Sequence, residues 1–255
     1  MLLKSLFTIC AFFVLSNSYA FDHSHREWSM ILKKNMRKNG KQNLVNYRGV
    51  KKEKNLLVKY LGSLTAVSKK EYNAFSKNEK LAFLINAYNA FTVKLIVDNF
   101  PLESIKKLGS LFTSPWKKKF FILLEEERSL DGIEHDMIRK NFNEPRIHFA
   151  VNCASIGCPN LYPEAFYPTS LNSQLEKATF SFITDRKKNR WNLKKQTLNL
   201  SKIFKWYKGD FKKKFGSVPN FLATYFTQDI SEQQLIKNKS TRIDYMDYDW
   251  NLNGY

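Results

Sequence analysis

The segment from Glu144 to Pro159 concentrates the side chains of this sequence that could do covalent chemistry. It holds a histidine, two cysteines, an asparagine, an arginine, a glutamate and a serine within 16 residues. A thiol nucleophile needs a base that forms its thiolate and a third group that orients this base. We therefore expect a thiol-dependent hydrolase or acyl transferase, in which Cys153 attacks a carbonyl group and His148 is the general base.

The sequence spacing does not fix which residues act as the base for Cys153 and which group orients that base. In a strand, side chains alternate between faces, so His148 would reach Cys153 only if the chain turns between them. His135 comes from another part of the chain and is the alternative base. Backbone N–H groups of residues 154–157 could stabilise an oxyanion. The base could be oriented by one of four side chains, namely Glu134, Glu144, Asn86 and Asn89.

The two cysteines also support a non-catalytic interpretation. In an oxidising compartment an even pair of cysteines favours a disulfide, and a Cys153–Cys158 bond would staple a ligand-binding loop. We expect no metal, because the spacing from His148 to the cysteines is not that of a zinc site, and no cofactor, because no glycine-rich phosphate loop occurs. The candidate binding residues are Asn86, Arg146, Asn152, Ser155 and Cys158.

Asn86 and Asn89 are unusual because they lie in a strongly apolar helix, three residues apart and on one face. A buried amide needs hydrogen-bond partners, so we expect each to tie the helix to a loop backbone. The alternative is that they orient a catalytic histidine or bind substrate.

The N-terminus predicts export. Lys4 is followed by an apolar stretch from Leu6 to Leu15, and Ser18-Tyr19-Ala20 has the pattern of a signal-peptidase site. Residues 1–20 are thus expected to be a signal peptide, and residues 21–255 a single globular domain in the periplasm or secreted. Cleavage would leave Cys153 and Cys158 as the only cysteines of the mature chain.

The composition excludes a disordered protein, since 43% of the residues are hydrophobic and 15% aromatic. The net charge of +19 comes mainly from lysine, with only 9 arginines among 42 basic residues. Because arginine is the usual reader of phosphates and bases, and because export is expected, nucleic acid is an unlikely partner. The expected partners are a small-molecule or peptide substrate and an anionic envelope surface, with no transmembrane span in the mature chain.

The apolar periodicity predicts an α+β fold, as a single helix-dominated domain with a small, mainly antiparallel sheet. Its clearest element is a helix that opens with a capping box at Ser76 and Glu79 and runs to about Asn99. Further helices are expected over about 21–36, 53–64, 131–140, 171–184, 201–215, 221–226 and 232–237. Extended segments are expected near 44–47, 120–124, 191–193, 197–200 and 242–250, and residues 147–151 are expected to be extended or a buried apolar stretch.

Five segments together resemble a known family, the domain of unknown function numbered 547. They are Leu84–Thr92, Ser129–His135, Glu144–Pro159, Ser201–Tyr207 with Asp210-Phe211, and Tyr248–Asn253. The family-like region thus runs from about Leu84 to Asn253. The resemblance implies that the histidines, cysteines and asparagines named above converge on one site, but it implies no reaction, because the family has no established activity.

Overall fold

The computed structural model describes residues 20–110 and 113–255. The predicted signal peptide lies outside the described residues except for Ala20, which is exposed.

Helices make up 51% of the described residues, and the predicted α+β class is confirmed. The α-helices are α1 (Arg26–Asn35), α2 (Tyr47–Lys52), α3 (Lys54–Thr65), α4 (Lys69–Ala74), α5 (Lys77–Asn99), α6 (Leu171–Ile183), α7 (Ile203–Trp206), α8 (Lys208–Phe215), α9 (Val218–Phe226) and α10 (Ile230–Lys237). Short 3-10 helices cover Ile105–Leu108 and Pro145–Phe149, and a π-helix covers Gly132–Arg139.

The strands form small, separate sheets. They are β1 (Met36–Asn39), β2 (Gln42–Val45), β3 (Phe121–Leu123), β4 (Glu126–Arg128), β5 (Arg190–Asn192), β6 (Thr197–Leu200) and β7 (Arg242–Tyr245). The pairs β1–β2, β3–β4 and β5–β6 are antiparallel, and β7 adds to β6 in parallel with Thr197 opposite Arg242. The sheets are therefore mainly antiparallel, as predicted.

Helix α5 is the centre of the larger hydrophobic core. Its capping box is formed as predicted: the Glu79 N–H donates to the Ser76 hydroxyl, and the Ser76 N–H donates to the Glu79 carboxylate. The helix is long and apolar enough to cross a membrane, but 89% of its most apolar window is buried inside the fold, as in a core helix. A second core cluster contains Phe149, Phe204 and Phe211, and lies between α6 and α7–α10.

Residues 147–151, which we expected to be extended or a buried apolar stretch, are buried but not extended. They belong to the 3-10 helix Pro145–Phe149 and the turn after it. Pro145 at the start of this helix has a fixed φ suited to a helical turn, and the Glu144 side chain accepts a hydrogen bond from the Arg146 N–H. The alternation of strand side chains therefore does not apply between His148 and Cys153.

Other boundaries also differ. The helix expected over 201–215 is divided at Tyr207 into α7 and α8, and the terminal strand ends at Tyr245. Helices α2 and α4 and strand β1 were not predicted, because four to six residues carry too little periodicity to identify an element.

Candidate functional site

The loop that carries both cysteines is held against α5 by one asparagine. The Asn89 amide nitrogen donates to the Ala150 carbonyl, and its oxygen accepts from the Asn152 N–H, each at 2.9 Å. Asn86 makes the equivalent pair with the carbonyl and N–H of Phe166, at 2.8 and 2.9 Å. Both buried amides thus tie the helix to loop backbone, as expected. Asn89 contacts the residue before Cys153, whereas Asn86 holds a different loop.

Asn152 closes the loop on itself. Its side chain accepts from the Ala154 N–H at 2.9 Å and donates to the Pro159 carbonyl at 2.6 Å. Ala154 has a φ of 60°, the left-handed conformation that a residue with a Cβ rarely adopts. This turn brings Cys153 and Cys158 to the same place.

The two sulfur atoms lie 2.8 Å apart and are linked by a hydrogen bond. The Cys153 N–H also donates to the Cys158 sulfur at 2.9 Å. Both cysteines are free thiols, so the disulfide of our alternative interpretation is absent from this structure. Cys153 is half-buried, whereas Cys158 is 2% exposed.

These contacts make the two thiols unequal. The hydrogen bond with Cys158, followed by those with Ser155 and Tyr248, lowers the pKa of Cys153 to about 7. The Ser155 and Tyr248 hydroxyl oxygens lie 3.3 and 3.2 Å from the Cys153 sulfur. Burial and the neighbouring Cys153 sulfur raise the pKa of Cys158. Near neutral pH, Cys153 is therefore the cysteine of the pair that ionises first, and Cys158 keeps its proton.

A cavity of about 210 Å³ opens beside the cysteines. Aromatic rings form much of its wall, with apolar contributions from Val151 and Ile203. No lysine or arginine lines it among the described residues. The aromatic lining residues are Tyr88, Trp116, Trp206, Tyr207, Tyr248 and Trp250, and the polar ones besides the cysteines are Asp131, Glu134 and His148.

His148 lines the same cavity but is oriented by carboxylates. Its Nε2 atom lies 2.8 Å from Asp210 Oδ2, and its Nδ1 atom lies 3.7 Å from Glu134 Oε1. Its ring stacks on Tyr207, with centroids 3.6 Å apart. Among the described residues neither ring nitrogen is hydrogen-bonded to a cysteine sulfur. The low pKa of Cys153 thus depends on hydrogen-bond donors and not on a contact with histidine.

The two carboxyl groups that face His148 are ionised. Burial alone would raise the pKa of Glu134, but contacts with His148 and Tyr207 outweigh it and lower the pKa. Burial likewise opposes ionisation of Asp210, while hydrogen bonds from His148 and Arg139 lower its pKa. Both carboxylates therefore place negative charge next to the His148 ring.

His135, the alternative base, does not line the cavity. Its Nδ1 atom lies 2.7 Å from Arg139, whose guanidinium is paired with Asp210 at 2.6 Å. Its Nε2 atom lies 3.8 Å from Asp131 Oδ1, and among the described residues no hydrogen bond joins His135 to a cysteine sulfur. Glu134, one of the candidate orienting groups, does contact His148.

Arg146 is also remote from the cavity lining. Its guanidinium bonds to Glu144 at 2.8 Å and reaches Glu176 at 3.1 Å and Asn172 at 2.8 Å. This network joins the 3-10 helix to α6. Arg146 thus connects two helices. Of the predicted binding residues, Asn152, Ser155 and Cys158 lie in the loop beside the Cys153 sulfur.

Three of the four backbone N–H groups of residues 154–157, where we expected an oxyanion site, already have hydrogen-bond partners. The N–H of Ala154 donates to Asn152, that of Ile156 to the Asn251 carbonyl, and that of Gly157 to the Asp249 carbonyl. These donors point into the loop and the C-terminal segment, because that segment pairs with the loop and satisfies its backbone. The hydroxyls of Ser155 and Tyr248 remain as donors beside the sulfur.

Several site residues were missed when chemistry was assigned from the sequence, namely Asp131, Trp206, Tyr207, Asp210, Tyr248 and Trp250. All six fall in the segments that carry the family resemblance, and this resemblance was the signal that could have identified them. Among the described residues no group of three or more His, Cys, Asp or Glu side chains could hold a metal ion.

The comparison with family models agrees with the motifs. Residues 72–183 match the model of the family described as "Protein of unknown function, DUF547". The segments Leu84–Thr92, Ser129–His135 and Glu144–Pro159 lie within this range, whereas the two later segments follow it. No curated protein and no solved structure matched the chain.

Proposed function

We propose that this protein is a thiol-dependent acyl-transfer enzyme, a hydrolase or acyl transferase, with Cys153 as its nucleophile. The observation that carries the proposal is the environment of the Cys153 sulfur. Cys158, Ser155 and Tyr248 all contact it within 3.3 Å, and it faces a cavity that also contains a histidine and two carboxyl groups. Such a thiolate is available near neutral pH and has room for a substrate.

The reaction would proceed in two steps. In the first, the Cys153 sulfur bonds to a carbonyl carbon, the bond to the leaving group breaks, and the leaving group takes a proton from the His148 ring. In the second, water or another acceptor attacks the thioester carbon, its proton passes to His148, and the Cys153 thiolate is released. The hydroxyls of Ser155 and Tyr248 would donate to the oxyanion formed in each step.

In this proposal His148 is held by Asp210 through Nε2, and Nδ1, which has no hydrogen-bond partner among the described residues, exchanges the proton with the substrate. His148 is not the group that ionises Cys153. This modifies the pairing expected from the sequence, because both ring nitrogens face carboxylates.

The first test is the reactivity of the thiols. The mature protein is treated with iodoacetamide with and without prior reduction, and its intact mass is measured. We expect rapid addition of one group at Cys153, none in Cys153→Ala, and retained labelling in Cys158→Ala. Labelling that is lost only in Cys158→Ala would mean that the nucleophile is Cys158 and not Cys153.

The second test is acyl transfer itself. p-Nitrophenyl esters of short and aromatic acids should release nitrophenol with a burst of one equivalent, and Cys153→Ala should abolish the burst. A protein isolated as an unreactive Cys153–Cys158 disulfide, with no burst after reduction, would instead support the non-catalytic, disulfide-stapled binding module.

A further inference from the structure

The charge of the cavity is opposite to that of the protein around it. The chain carries a formal net charge of +19, yet among the described residues the cavity lining contains Asp131 and Glu134 and no lysine or arginine. Its histidine is already matched by Asp210 on the side away from Glu134. The interior of this cavity is therefore suited to a positively charged group.

One of these carboxylates has an unused hydrogen-bonding atom. Glu134 is 5% exposed, and its Oε1 atom has no hydrogen-bond partner among the described residues. Its contact with His148 Nδ1, at 3.7 Å, is an ion-pair distance that leaves the oxygen free to accept from a donor. A buried acceptor without a partner is costly, and a ligand N–H would satisfy it.

The aromatic wall would favour the same kind of ligand. The Tyr248 ring lies 4.9 Å from the Trp206 ring and 4.5 Å from the Trp250 ring, and Trp116 is 5.8 Å from Trp250. These rings pack on one another, so the wall is formed before a ligand binds. Aromatic faces attract cations, most strongly when water is excluded.

The volume limits what can enter. About 210 Å³ is smaller than the range of roughly 300–1,000 Å³ typical of sites for drug-sized ligands. The cavity would hold one group the size of a large amino-acid side chain, with the rest of the substrate outside.

From these observations we infer that the cavity binds the ammonium-bearing end of an amine substrate, with Glu134 and Asp131 pairing with the cation and the tryptophan and tyrosine rings covering its apolar part. This deepens the proposed function and rests on it, since it names the substrate class for the Cys153 site. Charge-assisted hydrogen bonds to Glu134 would give the selectivity for a cation over a neutral group.

The test compares two probes of the same shape. Phenethylammonium and its neutral counterpart 2-phenylethanol are titrated into the full mature protein by calorimetry, and the quenching of tryptophan fluorescence is followed in parallel. We expect the ammonium probe to bind at least ten-fold more tightly and to slow iodoacetamide labelling of Cys153. Equal affinities for the two probes would overturn the inference.

Variants of the cavity carboxylates test which residue gives the preference for the ammonium probe. Glu134→Gln should remove most of the ten-fold preference while leaving the affinity for 2-phenylethanol unchanged, and Asp131→Asn should act in the same direction if the first variant folds poorly. Glu127→Gln, at an exposed position on β4, is the matched control and should keep the preference. A preference that survives in both cavity variants would also overturn the inference.

Failure of this inference and failure of the proposed function are separable. Labelling of Cys153 and the ester burst without any amine report on the nucleophile, whereas probe binding reports on the cavity. Cys153→Ala should lose the labelling and the ester burst but should still bind the ammonium probe.

Discussion

The Tyr248 hydroxyl oxygen lies 3.2 Å from the Cys153 sulfur, although 95 residues separate the two in the chain. Tyr248 follows β7 in the C-terminal segment, which pairs with the cysteine loop through Gly157 and Ile156. This backbone pairing holds the hydroxyl against the thiolate. Burial and the nearby sulfurs raise the pKa of Tyr248, so it keeps the proton that it donates.

Replacing Tyr248 should therefore weaken the thiolate. In the wild-type protein the rate of iodoacetamide labelling should rise with pH through a midpoint of about 7, the lowered pKa of Cys153. In Tyr248→Phe we expect this midpoint to move upward, because one donor to the charged sulfur is lost. Stopped labelling at a series of pH values, read by mass spectrometry, measures both midpoints. Tyr245→Phe, a half-buried tyrosine on β7, is the control and should leave the midpoint unchanged.

His148 should behave differently from Tyr248. Because its ring nitrogens face Asp210 and Glu134, His148→Gln should leave the midpoint of Cys153 labelling near 7. It should nevertheless slow acyl transfer by about 10²–10⁴-fold, the usual contribution of a general acid–base group. The loss should be smallest for esters with good leaving groups, which need no proton.

The two measurements on the same His148 variant are decisive together. A labelling midpoint that rises toward 9 would mean that His148 ionises Cys153 directly. Asp210→Asn provides a second variant that keeps the ring in place but changes its partner, and it should also slow transfer without moving the midpoint.

Asn89 and Asn86 form a matched pair for testing how the cysteine loop is held. Replacing either with alanine leaves a buried carbonyl and a buried N–H without partners, so each variant should lose about 2–4 kcal/mol of unfolding free energy, measured by urea denaturation. Only Asn89→Ala should also slow Cys153 labelling, since Asn89 bonds to Ala150 and Asn152 whereas Asn86 bonds to Phe166. Equal labelling in both variants would contradict a positioning role for Asn89.

The lowered pKa of Glu144 predicts that the protein loses stability as the solution becomes acidic. Burial opposes its ionisation, but hydrogen bonds from Arg146 and Lys214 lower its pKa from 4.5 to about 2. A lowered pKa contributes stability that is fully present above about pH 4.5 and lost as the pH falls toward 2. Glu144→Gln should be less stable than the wild type at pH 7 and should lose less between pH 5 and pH 2.5. Urea midpoints across this range, with Glu127→Gln as the exposed control, measure the difference; parallel curves would exclude the effect.

The expected cleavage point after Ala20 gives a direct test of export. The Phe21 backbone nitrogen donates to Glu71 Oε1 at 2.6 Å, and the Phe21 ring packs edge-on against Phe83. Cleavage after Ala20 would convert this nitrogen into an ammonium group paired with Glu71. We expect N-terminal sequencing of the full chain expressed in a Gram-negative host to begin at Phe21 in the periplasmic fraction. Recovery of the chain with Met1 from the cytoplasm would contradict export.

Local features of the sequence were enough for several elements. The capping box at Ser76 and Glu79, the apolar period of α5 and the hairpin of β5 and β6 all depend on residues within a few positions of one another. The role of Asn86 and Asn89 also follows locally, because an amide inside a buried helix must find partners. The 3-10 helix at Pro145–Phe149 was misjudged, since a short apolar run fits a strand or a buried turn equally well.

By itself the sequence determined the fold class, the family resemblance and the loop that carries the two cysteines. Only the tertiary structure decided what that sulfur touches. Tyr248 reaches Cys153, and Asp210 reaches His148, through contacts that span 95 and 62 residues. Such contacts are selected by packing and backbone pairing across the whole chain, and local spacing carries no record of them.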